Sequence, residues 1–390
     1  MNDLDSTVAL LSDLIAFPTV SADSNLAMIE HLAERLEAAG ARTSVLKDDS
    51  GRKANLFATL GPDRAEGGLI LSGHSDVVPV EGQDWHRPPF EMTEDDAGRL
   101  YGRGTCDMKG FIAAAVHLAP ELARIATHRP VHFSFTYDEE VGCLGARSLT
   151  SELATRGLKP AMTMIGEPTE MRVIDGHKGV SEYTVRFHGR AGHGSDPEAG
   201  ASALDAAIRY AARLLELREE LKRRAADDLP FHPPWTTVNL GRLAGGNAHN
   251  VIAASALLEW EMRPAQPGDA EFVREALSKH VEEVLLPQLR RTKPDARIET
   301  EVIGDVVGLD PENENALRDL LLALTGTADA GTVAFGTEAG LFRELGGDVV
   351  VCGPGSISQA HLPDEFVTRD QLDHCLRTIR GLTQRVAGTA

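Results

Sequence analysis

The sequence predicts an α/β fold on a mixed sheet, interrupted by a smaller α+β domain of four strands and two helices. Three observations predict it. A chain of 390 residues exceeds the roughly 250 to 300 residues at which one hydrophobic core stops growing. Short apolar runs closed by Gly, Pro or polar residues alternate with amphipathic helical stretches early in the chain and again near its end, the pattern of an α/β layer. Between about Gly179 and Gly308 that pattern gives way to half-exposed alternation. The expected division is residues 1–178 with 309–390 for the larger domain and 179–308 for the inserted one.

The elements follow in order. Val8, Leu11, Leu14 and Ile15, then Leu26, Ile29, Leu32 and Leu36, space two amphipathic helices, the second closed by Gly40. NLFATL, GLILSG, VHFSFTYDEE and AMTMIGEPT read as buried strands, with a helix over FIAAAVHLAPELARIA between them. In the middle region SEYTVRFHGRAG, TTVNLGRLAGG, ALLEWEMRP and IETEVIG are strands. One helix there carries Leu204, Ile208, Ala211 and Leu215 and then Leu214, Leu217 and Leu221 along its face, and VREALSKHVEEVLLPQL is a second. The last helix opens on a capping box, Thr368 to Gln371, and carries Leu372, Leu376, Ile379 and Leu382. No repeat period or low-complexity tract interrupts the chain.

Composition removes several classes of function. The formal charge is −20, whereas nucleic acid and anionic membrane surfaces reward a basic face, so neither is an expected partner. No window approaches the ~20 continuous apolar residues of a bilayer span. The N-terminal stretch is acidic and runs directly into a helical pattern, unlike a secretory signal, which makes the cytoplasm the expected compartment. Cys106, Cys143, Cys352 and Cys375 are too scattered for a disulfide framework and read as reduced, mostly buried thiols.

Five segments place acids or histidines where an apolar run meets a Gly/Pro-rich turn: SGHSDVVPV, YGRGTCDMKG, TYDEEVG, IGEPT and SQAHLPDE. Strand ends of this kind line the ligand crevice of open α/β sheets. Three consecutive acids in TYDEEVG repel one another unless a cation or full solvation relieves them. Adjacent residues leaving a strand point in opposed directions, so Glu139 and Glu140 can divide their work, one holding metal and the other facing water. His74, Asp107, Glu140, Glu167 and His361 supply the nitrogen and carboxylate donors zinc prefers. With Asp107 bridging, one Zn²⁺ takes His74 and Glu167 and the other takes Glu140 and His361. Two Zn²⁺ then face three ligand carboxylates, and one hydroxide neutralises the set. Asp76, two residues after His74, either accepts the proton on that histidine's other ring nitrogen or caps the turn.

These segments, in this order, resemble the dinuclear-zinc aminoacylase and carboxypeptidase family, whose members include the succinyl-diaminopimelate desuccinylase-like enzymes. The likeness runs through GHSDVVPVEGQDW, GRLYGRGTCDMKGF, DEEVGCLGA, GEPT, GRAGHGS, GTEA and GPGSISQAHLPDE, nearly end to end. It implies a zinc-peptidase-like catalytic domain with an inserted dimerisation and lid domain, two Zn²⁺ with Co²⁺ able to substitute, and a homodimer. It implies that Asp107 bridges the metals, that the Asp107–Met108 peptide bond is cis, and that Glu139 is the general acid and base. By the same likeness His193 polarises the scissile carbonyl from the partner subunit, while Asn250 and Arg263 hold the substrate carboxylate. The expected reaction is hydrolysis of an N-acyl amino acid. In GTEA, Glu338 either offers its charge to a substrate's distal ammonium, which fits Nα-acetyl-L-ornithine, or is an outward-facing loop residue. Succinyl-diaminopimelate, acetylcitrulline and dipeptides are the alternative substrates. A metal-binding scaffold without turnover is the alternative of another class, and it would be expected to lack the base or a ligand.

Overall fold

The computed structural model describes residues 2–388. They form two compact units. The larger comprises the chain up to Gly176, Pro311–Thr332 and the stretch from Thr337 onward; the smaller comprises His177–Asp310 and Val333–Gly336.

The larger unit is built on an eight-stranded mixed sheet. Its strands lie in the order Arg42–Lys47, Ala54–Leu60, Val131–Thr136, Leu69–His74, Met162–Ile165, Asp348–Val351, Ile174–His177 and Gly331–Val333. The central four run parallel to one another, while Ala54–Leu60 pairs antiparallel with Val131–Thr136 on one side and Ile174–His177 antiparallel with Asp348–Val351 on the other. Leu69–His74 and Val131–Thr136 are buried along their whole length, which is why they read as continuous apolar runs. Leu69, Leu71, Val131, Phe133 and Phe135 share one core with Phe111, Leu372 and Leu376 of the helices Gly110–Ile125 and Arg369–Ala387. Truncating a side chain such as Phe111, which is fully buried, to alanine costs about 3 to 5 kcal/mol in settings of this kind.

Three local features differ from the sequence expectation. The edge strand Arg42–Lys47 carries little apolar signal because it is only partly buried. In the smaller unit the expected single helix over Val273–Leu289 is Asp269–His280, a wide turn Val281–Leu285, and a last turn Leu286–Leu289. Pro287 explains the break, since its ring lacks an N–H and displaces the carbonyl four residues back. Half of the capping box forms: Thr368 Oγ1 accepts the Gln371 N–H at 3.3 Å, but the Gln371 side chain accepts the Gly355 N–H instead of returning to the cap.

The smaller unit is a four-stranded antiparallel sheet in the order Thr237–Gly245, Ser255–Arg263, Val180–His188 and Arg297–Val306. Period-two alternation buries Ala256, Leu258, Trp260 and Met262. They join Leu214, Leu217 and Leu221 of the helix Ala203–Arg224 and Val273 of Asp269–His280 in a separate core. Trp260 stacks on Tyr183 with ring centroids 4.4 Å apart.

One small sheet positions the site. Phe366–Thr368 pairs antiparallel with Arg99–Tyr101, setting Phe366 opposite Tyr101. This lays residues distant in sequence against the loop that follows Tyr101.

Candidate metal centre and active site

The parallel strands converge on one edge. His74 is the last residue of its strand and lies in register with Thr136, the last of its neighbour; Ser72 is level with Ile165, which ends the third. Glu139 and Glu140 follow Thr136, and Glu167 follows Ile165 by two residues. All therefore emerge at the carboxyl ends of parallel strands, where such sheets place their ligands. Gly166 makes the approach feasible: a Cβ there would lie 2.0 Å from Phe111 Cγ.

Asp107 reaches the same place from the loop after Arg99–Tyr101, with Gly104 at φ 87° and a cis Asp107–Met108 bond. Its two carboxylate oxygens face opposite ways. Oδ1 is 3.0 Å from His74 Nε2, and Oδ2 is 3.3 Å from His361 Nε2. Glu167 Oε1 lies 3.7 Å from His74 Nε2, while Glu140 Oε2 lies 3.1 Å from His361 Nε2. Two donor trios result, His74 with Asp107 and Glu167, and Asp107 with Glu140 and His361, the donor atoms of each lying within 4.8 Å of one another. Glu139 joins His74 and Glu140 in a third cluster.

The electrostatics of this cluster call for cations. Burial, then the charges of Asp107 and Glu139, drive the Glu167 carboxyl well above its ordinary range. Burial also lifts Glu139 well above that range, reinforced by Glu140, Glu338 and Asp107, and burial with Asp107 lifts Glu140. Hydrogen bonds to Asp107 and Glu140 raise His361 to about 10. Burial alone would lower His74, but Asp107, Asp76 and Glu167 outweigh it and hold it well above the usual imidazole value. Asp107 is held down by the two imidazoles in spite of its burial.

The arrangement behind the ligands was only partly legible. His74 Nδ1 makes its hydrogen bond, 3.0 Å, to the backbone carbonyl of Asp76, with the Asp76 carboxylate 3.6 Å away. The strand stops at His74, so the side chain of Asp76 turns aside. There it accepts the Glu139 N–H at 3.1 Å, the Glu140 N–H at 3.3 Å and the Ser21 hydroxyl at 2.7 Å. Asp76 thus fixes the backbone of both glutamates. Lys53 bonds the neighbouring Asp138 at 2.6 Å.

Glu338 is buried, 1 % exposed, and so is not an outward-facing loop residue. Thr136 Oγ1 donates to its Oε1, and burial raises its carboxyl to about 7. His193, Asn250 and Arg263 lie in the smaller unit. His193 is exposed, its Nδ1 2.7 Å from Ser195 Oγ. The exposed Asn250 belongs to the adjoining loop, its carbonyl accepting the Gly194 N–H at 2.8 Å. Arg263 pairs with Glu261 at 2.8 Å.

Sequence reasoning missed Glu365. Its Oε1 accepts the N–H groups of Gly104, Cys106 and Asp107 at 3.0, 2.9 and 3.1 Å, and its Oε2 pairs with Arg103 at 2.6 Å. No apolar periodicity flags such a residue; its membership in SQAHLPDE is the only signal.

The model for Peptidase family M20/M25/M40 matches residues 70–385. The chain belongs to this family. Among curated M20 relatives, it is 35% identical over 381 residues to the acetylornithine deacetylase of Pasteurella multocida, covering 96% of each chain. It is 37% identical over 374 residues to that of Myxococcus xanthus, covering 94% of each. Among solved structures, a Staphylococcus aureus tripeptidase superposes with a TM-score of 0.74 at 20% identity, over 99% of both chains. An M20 metallo-carboxypeptidase from Sulfolobus solfataricus gives 0.77 at 18% identity, over 97% of this chain and 99% of that one. The protein is accordingly a metal-dependent hydrolase of amide bonds.

The residues present fit the metals the M20 fold implies. Glu167 Oε1 is buried without a hydrogen-bond partner among the described residues, an atom that costs free energy unless a cation takes it. The imidazole and carboxylate donors match zinc. All four cysteines are free and buried, and none joins a donor cluster among the described residues.

Proposed function

We propose that this enzyme removes the acetyl group from Nα-acetyl-L-ornithine, releasing L-ornithine and acetate, and so serves amino-acid (arginine) biosynthesis in the cytoplasm. The observation that carries the metal reading is the pair of trios sharing Asp107, one carboxylate oxygen turned to each histidine. In this reading His74, Asp107 and Glu167 hold one zinc, and Asp107, Glu140 and His361 hold the other. When bound, the metals polarise the amide carbonyl and make a water acidic enough to react near neutral pH.

The protein's own groups do the rest. Glu139, beside His74 and Glu140, takes the proton from the attacking water and returns it to the departing amine; a carboxyl raised by burial is suited to both halves of that task. Asp76 aligns Glu139 and Glu140 through their amides. In the proposed homodimer the smaller unit acts as lid. His193 of the partner subunit assists the carbonyl, and Asn250 and Arg263 take the substrate carboxylate, Arg263 exchanging Glu261 for it.

Acetylornithine is favoured by the relatives, which are 35 to 37% identical across nearly the whole chain. Glu338 supplies a buried carboxyl that burial inclines toward its protonated form, and a substrate's distal ammonium beside it would favour its ionised form. A substrate panel tests the proposal. Nα-acetylornithine should be cleaved fastest among acetylornithine, succinyl-diaminopimelate, acetylcitrulline and a dipeptide. Faster turnover of any of the other three overturns the substrate assignment.

A further inference from the structure

His361 is the least supported ligand of the cluster. Its side chain is 52% exposed, against 7% for Asp107 and 8% for Glu140. Its φ of 64° lies in the left-handed region, which disfavours residues with a Cβ. Something must hold this backbone, and the loop Glu81–Trp85 does so. Gln83 Nε2 donates to the His361 carbonyl at 3.0 Å. The other end of the same amide, Oε1, accepts from Arg103 Nη2 at 2.6 Å and from Trp85 Nε1 at 3.0 Å. Arg103 lies over the Trp85 ring, 5.0 Å from its centroid, and is itself locked by Glu365. Glu365 also binds the Asp107 amide. One chain of bonds therefore runs from the Asp107 backbone through Glu365, Arg103 and Gln83 to the His361 backbone.

We infer that Gln83 is a positioning residue for the Asp107–Glu140–His361 metal site: its side-chain amide clamps His361 and sets that site's affinity without touching metal or substrate. The inference rests on the two-metal reading above. It explains why the donor and acceptor of one amide are both used, since an amide held by Arg103 and Trp85 presents its N–H₂ in one direction only. Gln83 bonds none of His74, Asp107 and Glu167, and the Asp107 amide is held by Glu365 itself, so the other site should change far less. Removing a group that orients a metal ligand typically costs about 10- to 100-fold in affinity.

The test measures both zinc dissociation constants by competition with a chromophoric chelator in wild type, Gln83→Met, Gln83→Glu and His361→Ala, with the absorption spectrum of the Co²⁺-loaded proteins as a second readout. Gln83→Glu keeps the acceptor for Arg103 and Trp85 and sets a carboxylate oxygen, in place of the donor, against the His361 carbonyl, whereas Gln83→Met removes the donor without adding charge. Both Gln83 variants are expected to weaken one site by at least about tenfold, change the other far less, and alter the Co²⁺ spectrum chiefly at the weakened site. Wild-type constants in both variants, equal weakening of both sites, or an effect confined to Gln83→Met would overturn the inference. If His361→Ala itself leaves both constants unchanged, the two-metal reading fails; if it weakens one site while the Gln83 variants do not, the clamp alone fails.

Discussion

Replacing Glu365 with glutamine should cost the larger unit about 3 to 5 kcal/mol. The magnitude follows from what the carboxylate touches. It is fully buried with Arg103, the two side chains being 0% and 1% exposed, and it serves three backbone N–H groups as well as the guanidinium. A glutamine keeps one carbonyl oxygen, which can face either the three amides or Arg103. Whichever set it abandons meets an N–H₂, and each buried donor left unmatched costs about 1 to 3 kcal/mol. Removing one partner of a buried ion pair also strands the other charge. Part of the loss is offset, because burial already raises the Glu365 carboxyl above its usual range, and the substitution relieves that penalty. The assay is urea unfolding of the metal-free protein. It would be read from Trp85 fluorescence in a background where Trp235 and Trp260 are phenylalanine, so that the signal belongs to the larger unit. The midpoint should fall at unchanged slope. The double variant Arg103→Met with Glu365→Met should lose less than the sum of the single Met variants, since neither charge is then stranded. A loss below about 1 kcal/mol for Glu365→Gln, against the estimate for a broken buried pair, or strict additivity in the double variant, would refute the reasoning.

Two further outcomes are expected. Glu338 is raised by burial to about 7, so the folded metal-free protein keeps a proton that the unfolded chain releases from roughly pH 4.3 upward. Its contribution is fully present below that value and is lost as pH rises through about 7, a fall of about 4 kcal/mol. Urea midpoints taken across this range should therefore drop with pH, and Glu338→Gln should flatten the drop; an unchanged slope contradicts the shift. If His193 acts across a dimer, Glu139→Gln and His193→Ala proteins, each inactive alone, should regain about a quarter of wild-type activity after subunit exchange, because about half of randomly assorted dimers are mixed and each has one complete site. Continued inactivity of dimers shown to have exchanged would place His193 outside the partner's site.

The parts of the site that were legible in the sequence are those whose cost is visible there. A histidine or glutamate ending an apolar strand is expensive unless it is used. His74, Glu140 and Glu167 stand out on that ground, and the structure brings all three together with Asp107 and His361. The strands leading to them read equally well because both faces are buried. Glu365, Arg103 and Gln83 were not legible, since their partners are backbone groups or residues far along the chain. A glutamate serving amides some 260 positions away has the same local sequence as one facing solvent. The two alternatives for Asp76 are both partly met: its backbone carbonyl lies 3.0 Å from His74 Nδ1 with the carboxylate 3.6 Å away, because the strand ends at His74, and the carboxylate also accepts the Glu139 and Glu140 amides of the next turn. Of the two alternatives for Glu338, the outward-facing one fails: a Gly-Thr-Glu turn carries no signal of the pairing with Thr136 that buries it.

The central claim is that two metal sites and one proton-carrying carboxylate make this fold an amide hydrolase. Metal analysis and acetylornithine turnover measured together on Glu139→Gln test it most directly. The expected result is zinc content equal to that of the wild type, two per chain, with nearly all turnover lost. Full metal content with undiminished hydrolysis would contradict the assignment of Glu139, and a wild-type protein that binds no zinc in either trio would contradict the metal centre itself.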